Sequence, residues 1–140
     1  MIKFVIDSSI IIKWLNQKDE TFVEKAEEIL RDFRSGKVVL LAPELTKYEI
    51  GNTLLVGKKL TLNQMQEALE FFYGLPIHFF ADSSELSASA YRIGYGTNMT
   101  YYDASFVALA KKENVPLITD NVKHQGKTKE IKVIALKDYK

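Results

Sequence analysis

Short, mainly apolar runs alternate with longer stretches of helical periodicity, and this alternation limits the fold more than any other property of the chain. Ile2–Ile6, Val38–Ala42, Ile77–Ala81, Val115–Thr119 and Ile131–Leu136 are too short for independent helices and apolar enough for strands covered on both faces. Between them the pattern changes. Phe22, Val23, Ala26, Ile29, Leu30 and Phe33 recur at about the 3.6-residue period, with Glu24, Lys25, Glu27, Glu28 and Arg31 on the opposite face. Ser8–Leu15 reads as a short helix, and Pro43 is expected to open another running through Leu55. Thr61 caps a helix that Gly74-Leu75-Pro76 stops, Ser83 opens one that Gly94 and Gly96 interrupt, and Tyr101–Glu113 forms the last. Lys123–Lys129 reads as a lysine-rich connection. Strands alternating with helices predict an α/β fold: a central, mainly parallel sheet of about five strands, right-handed crossovers and helices on both faces. At 140 residues the chain suits a single domain over positions 1–140.

Cysteine is absent, which excludes disulfides, thiolate metal sites and a cysteine nucleophile. With 19 Lys+Arg against 18 Asp+Glu there is no large net field to steer a polyanion. If several acids gather at one site, however, the remaining surface is more basic than that total, which permits a nucleic-acid substrate. No basic leader with an apolar core precedes the first strand, and no apolar stretch approaches about 18 residues. A cytoplasmic protein without membrane contact is expected.

Four acids, Asp7, Glu49, Asp103 and Asp120, stand where strands end or helices begin. In parallel α/β sheets the functional crevice lies outside the carboxyl ends of the strands, where Asp7 and Asp120 fall. Carboxylates drawn together repel by roughly 4 kcal/mol per pair at about 4 Å with an effective dielectric of about 20. A divalent cation, Mg²⁺ or Mn²⁺, is the simplest offset. Each acid also has a plainer reading. Asp7-Ser8-Ser9 suits a metal and phosphate cradle, and its plainer reading is that Ser8 or Ser9 caps the next helix while Asp7 favours the same dipole. Glu49 shares a helical face with Asn52, three residues on, although an ordinary amphipathic helix also places a glutamate there. Thr100 and Asp103 have capping-box spacing ahead of a very apolar helix whose N-terminus equally suits a metal ligand. Asp120-Asn121 follows Thr119 as metal-site donors or as a strand-ending turn.

Ile6-Asp7-Ser8-Ser9, Pro43 to Asn52, Thr100-Tyr101-Tyr102-Asp103-Ala104 with Ala108-Leu109-Ala110, and Leu117 to Asn121 resemble the successive motifs of PIN domains, most closely those of VapC-type toxins. The resemblance spans essentially the whole chain. It implies a small Rossmann-like α/β/α sandwich, magnesium- or manganese-dependent endoribonuclease activity, a homodimer and a small inhibitory antitoxin partner. By motif, Asp7, Glu49, Asp103 and Asp120 become the metal-binding and catalytic acids, with Ser8, Ser9, Asn52, Thr119 and Asn121 supporting them. Many members carry an acid two residues after the last-motif threonine. This chain has Asn121 there and places its acid one residue earlier, at Asp120.

The expected reaction is in-line attack of water on phosphorus, with the cation acidifying the water and offsetting charge on a phosphate oxygen, leaving a 5′-phosphate by family analogy. Lys13, Lys47 and Lys123 are the lysines expected to meet substrate phosphates. A metal-dependent binding module is a rival reading. Its usual Asp-x-Ser-x-Ser pattern would place the second serine where this chain has Ile11. A PIN-fold regulator without catalysis is another, kept open by Asn121.

Overall fold

β1 (Ile2–Ile6) turns Phe4 and Ile6 to one side and Val5 to the other, and all three are buried, so this strand is covered on both faces. It lies at the centre of a five-stranded, all-parallel sheet with β2 (Val38–Pro43), β3 (His78–Phe80), β4 (Leu117–Thr119) and β5 (Val133–Ala135), in the order β3-β2-β1-β4-β5. Phe4 is in register with Leu40 of β2, and Ile6 with Ile118 of β4. The chain builds outward from β1 through β2 to β3, then returns across β1 to begin β4. The reversal places a switch point between the carboxyl ends of β1 and β4, the position at which such sheets form a crevice. The computed structural model describes residues 1–140, and none of its helices is long and apolar enough to cross a membrane.

Two apolar cores form the layers. On one side Phe4, Ile6 and Leu40 pack with α1 (Ser8–Leu15), α2 (Val23–Arg34), α3 (Leu45–Asn52) and α4 (Leu62–Gly74) through Ile10, Ile29, Ile50 and Phe72. On the other, Val5, Leu41 and Leu117 pack with α5 (Ser84–Thr97) and α6 (Tyr101–Glu113) through Ile93, Phe106 and Leu109. This is the expected α/β/α sandwich.

Several local expectations change. Pro43 does not open a helix: it ends β2, in register with Phe80, and the helix starts at Leu45. Gly94 and Gly96 do not interrupt α5, which continues to Thr97. A Cβ on Gly94 would lie 3.0 Å from the Met99 carbonyl oxygen and 3.8 Å from the Ala104 Cβ, so this glycine permits close α5–α6 packing. β4 begins at Leu117 because Pro116 has no N–H for the ladder, although its carbonyl accepts from Val5 N at 2.9 Å. The lysine-rich connection contains the short helix α7 (Val122–Gln125). Beyond Asn52, α3 widens into a π-helical turn, Thr53–Gly57.

Candidate active site

Asp7 is the first residue past β1, and its backbone N–H donates to Ile118 O of β4 at 3.0 Å, so the sheet itself fixes it at the switch point. As N-cap of α1 it accepts from Ser9 N at 3.2 Å. That cap coexists with further contacts: Asp7 Oδ2 also accepts from Ser9 Oγ at 2.5 Å and Thr119 Oγ1 at 3.1 Å, while Oδ1 accepts from Gln125 Nε2 at 3.2 Å. The residue is only 4% exposed. Burial pushes its carboxyl above the ordinary range, against the lowering effect of the donors from Ser9, Gln125 and Thr119.

Unlike the other acids, Glu49 does not stand at a strand end or helix start: it comes from the middle of α3 and turns one oxygen to Ser8, whose Oγ donates at 3.0 Å. Its carboxyl is pushed up to about 7, first by burial and then by the negative charges of Asp7 and Asp103, against the lowering effect of Ser8. Asp103 lies in the first turn of α6. Its backbone N–H donates to Thr100 Oγ1 at 3.0 Å, which is one half of the expected capping box. The reciprocal bond is not formed. The Asp103 carboxylate instead accepts from Asn121 Nδ2 at 3.5 Å, at the long end of hydrogen bonding. Asp7, Ser8, Ser9, Asp103, Asp120 and Asn121 all line one cleft of about 420 Å³.

Asp120 is present but engaged: its Oδ2 stands 3.0 Å from Lys13 Nζ. Its backbone N–H donates to Ser9 Oγ at 3.2 Å, while Thr119 Oγ1 accepts from Asn121 N at 2.8 Å. Ser9 and Thr119 thus tie the end of β1 to the end of β4. Asn52 departs from its expected place. It is exposed, and Thr53, four residues after Glu49, lines the cleft instead.

The three lysines separate. Lys13 is not the solvent-facing phosphate contact expected, because its side chain is 2% exposed and pairs with Glu20 as well as Asp120. Lys47 pairs with Glu44 at 2.9 Å and lies 4.6 Å from the Phe79 ring centroid, so its charge is also engaged. Lys123, on α7, is exposed.

Three contributors were not anticipated: Glu20 and Thr53 in the cleft wall, and Gln125 behind Asp7. Glu20 is held between Lys13 at 2.9 Å and Lys58 at 2.7 Å. Burial raises its carboxyl, but hydrogen bonds and charge from the two lysines outweigh that and leave it below the ordinary value. Gln125 is fully buried, and its amide also reaches Asp103 O at 3.4 Å. In the sequence it is a polar residue within a lysine-rich stretch, and only the α7 turn brings it under Asp7.

The acids do not already clasp a point: no three His, Cys, Asp or Glu side chains stand together in the geometry of a finished metal site. They do present hard oxygen donors. Asp7 Oδ1 carries one hydrogen bond, and Ser8 engages only one Glu49 oxygen. Magnesium keeps several waters and is often held by one or two carboxylates, so this donor set fits such an ion.

A family model described as PIN domain matches residues 4–129. Ribonuclease VapC3 of Pyrobaculum aerophilum is 29% identical over 124 residues, covering 84% of this chain and 88% of that protein. Among solved structures, VapBC2 from Rickettsia felis bound to a promoter DNA fragment superposes with a TM-score of 0.70 at 15% identity, covering 96% of this chain and 98% of that one. A toxin-antitoxin complex from Klebsiella pneumoniae gives 0.67 at 16% identity, covering 95% and 97%. These structural likenesses support the fold. With the matched region running from β1 to just past α7 and including every acid of the cleft, the chain belongs to the PIN domain family.

Proposed function

We propose that this protein is an endoribonuclease that hydrolyses RNA phosphodiester bonds with Mg²⁺ or Mn²⁺, as the toxin of a toxin–antitoxin pair. One observation carries the reading: Asp7 and Asp103 line one cleft at the β1–β4 switch point, and Glu49, held by Ser8 of that cleft, is near enough for their charge to add to the burial that lifts its carboxyl to about 7. An acid cluster of that kind calls for a cation. A divalent ion held by these carboxylates supplies polarisation of a phosphate oxygen and acidification of an attacking water.

The chain's own groups prepare the site. Ser9, Thr119 and Gln125 lock the Asp7 carboxylate from both oxygens, and Ser8 orients Glu49. Near neutral pH and without a cation, Glu49 exchanges a proton with solvent. A bound cation favours its carboxylate form. Lys123 is the expected lysine left free for a substrate phosphate.

The antitoxin follows by analogy with the VapBC and toxin-antitoxin complexes that share the fold. A cytoplasmic homodimer completes the reading. Within α5, Ala90 is buried and Gly94 packs closely against Met99 and Ala104, so these two residues serve the α5–α6 seam. Tyr91 and Tyr95, 68% and 86% exposed, are the large apolar groups that α5 offers to a partner copy.

The test is cleavage of labelled single-stranded RNA by wild type and Asp7→Asn, with Mg²⁺, with Mn²⁺ and with excess chelator. Metal-dependent cleavage lost in the variant is expected. Equal cleavage by both proteins would remove Asp7 from the reaction, and no cleavage of any RNA tested would favour the non-catalytic regulator.

A further inference from the structure

The side of the cleft nearest β4 is held by a cation that belongs to the protein. Lys13 projects from α1 with a side chain only 2% exposed. Its ammonium donates to Glu20 Oε1 at 2.9 Å and Thr21 O at 2.7 Å, and forms an ion pair with Asp120 Oδ2 at 3.0 Å. Lys58 takes the other Glu20 oxygen at 2.7 Å, which holds Glu20 in place against Lys13. A buried ammonium gives up such partners at high cost, because a charge left unpaired away from water is strongly unfavourable. Asp120 is therefore held by Lys13.

Asn121 adds to the asymmetry. It directs amide hydrogens, not an oxygen, toward Asp103, at 3.5 Å. A divalent ion approaching from β4 would meet an ammonium and an amide N–H₂. An ion approaching Asp7, Glu49 and Asp103 meets carboxylate oxygens that have no lysine partner within salt-bridge distance. Paired divalent ions in two-metal sites lie roughly 3.5–4 Å apart and share the charge of their acids. Here Asp120, the acid that a second ion on the β4 side would share, stands 3.0 Å from Lys13 Nζ.

We propose that Lys13 acts as the resident cation of this side of the cleft, keeping Asp120 out of metal coordination so that the site takes one divalent ion, on Asp7, Glu49 and Asp103. The proposal rests on the metal-site reading above. Lys13 is accordingly a positioning residue that sets metal number, and it does not contact the substrate.

The test is Mn²⁺ binding to the purified full chain, read by calorimetry and by electron paramagnetic resonance of free Mn²⁺, with folding checked by circular dichroism. Wild type should bind one ion, and Asp120→Asn should bind one with affinity within about twofold of wild type, whereas Asp7→Asn should lose about tenfold or more. Folded Lys13→Met, with Asp120 released, should bind two. A wild type that binds two ions, an Asp120→Asn loss of about tenfold or more, or a folded Lys13→Met that still binds one would each overturn the proposal. If Lys13→Met does not fold, the Asp120→Asn affinity decides. Asp7→Asn binding like wild type would instead remove the metal-site reading itself, a separable result.

Discussion

Replacing Glu49 by Gln should make the metal-free protein more stable at alkaline pH and leave it unchanged at acid pH. Glu49 moves from an ordinary 4.5 to about 7 on folding, first because it is buried and then because Asp7 and Asp103 repel its charge. An acid raised in this way favours the folded state while protonated. Its contribution is fully present below about pH 4.5 and is lost as pH rises through about 7. The full shift corresponds to about 3.5 kcal/mol at about 1.4 kcal/mol per unit. Glu49 is only partly buried, so solvent screening reduces the usable figure to about 1–2 kcal/mol. Glutamine keeps an oxygen for Ser8 Oγ and has no charge to lose. In excess chelator, denaturant unfolding at pH 8 should therefore show Glu49→Gln about 1–2 kcal/mol more stable than wild type, with the difference shrinking as pH falls and vanishing below about pH 4.5. Asp7 is also raised and contributes in the same direction, so the difference between the two proteins, not the wild-type slope, isolates Glu49. Saturating Mg²⁺ should narrow or reverse the gap by binding the native wild type, by about 3 kcal/mol at a hundredfold excess over Kd. A Glu49→Gln protein no more stable than wild type at pH 8 without metal would refute the claim that this carboxylate carries uncompensated charge.

Gln125→Leu should lower stability by about 1–3 kcal/mol, because Asp7 Oδ1 loses its donor at 3.2 Å in a buried position. A shift of the urea midpoint to lower concentration at unchanged slope is the readout, and an unchanged midpoint would show that Asp7 does not depend on this amide. Gly94→Ala should cost about 1–3 kcal/mol, since the added methyl would sit 3.0 Å from a backbone oxygen at the α5–α6 crossing. Gly96→Ala is the matched control, because a Cβ there meets no atom within 4 Å. Thermal unfolding should separate the two, and equal melting temperatures would contradict the close-packing account.

The strands and the acids were legible in the sequence for the same physical reason. A strand buried on both faces must be apolar throughout, so a carboxylate such as Asp7 at its end announces itself by contrast. Glu49 and Asp103 were legible as acids beside apolar helix faces. Their partners were not. Lys13 lies within Ile10–Leu15 and looks like a lysine extending from an apolar helix to water. Only tertiary structure brings the Glu20 loop and Asp120 within 3 Å of its ammonium. Gln125 follows the same logic, since no local pattern links it to an acid 118 positions earlier in the chain. Pro43 and Gly94 are residue types that locally favour a helix start and a helix break. Sheet register with Phe80 and helix packing against Met99 overrode those local tendencies.

The charge pattern also gives the departure at Asn121 a physical sense. If the last motif carried its acid there, that carboxylate would face Asp103 and deepen a repulsion already sufficient, with burial, to lift Glu49 to about 7. With an amide in that place, Asn121 donates to Asp103 instead of opposing it. Asp120, one position earlier, points its charge to Lys13, and Lys13 shares it with Glu20, itself shared with Lys58. Two lysines and two acids make that network neutral, while Asp7, Glu49 and Asp103 remain without a lysine partner. Moving the acid by a single residue thus divides the cleft into a self-compensated side and an electron-rich side. On the proposed metal-site reading, a divalent ion is drawn to the second side, beside the α1 N-terminus that Asp7 caps.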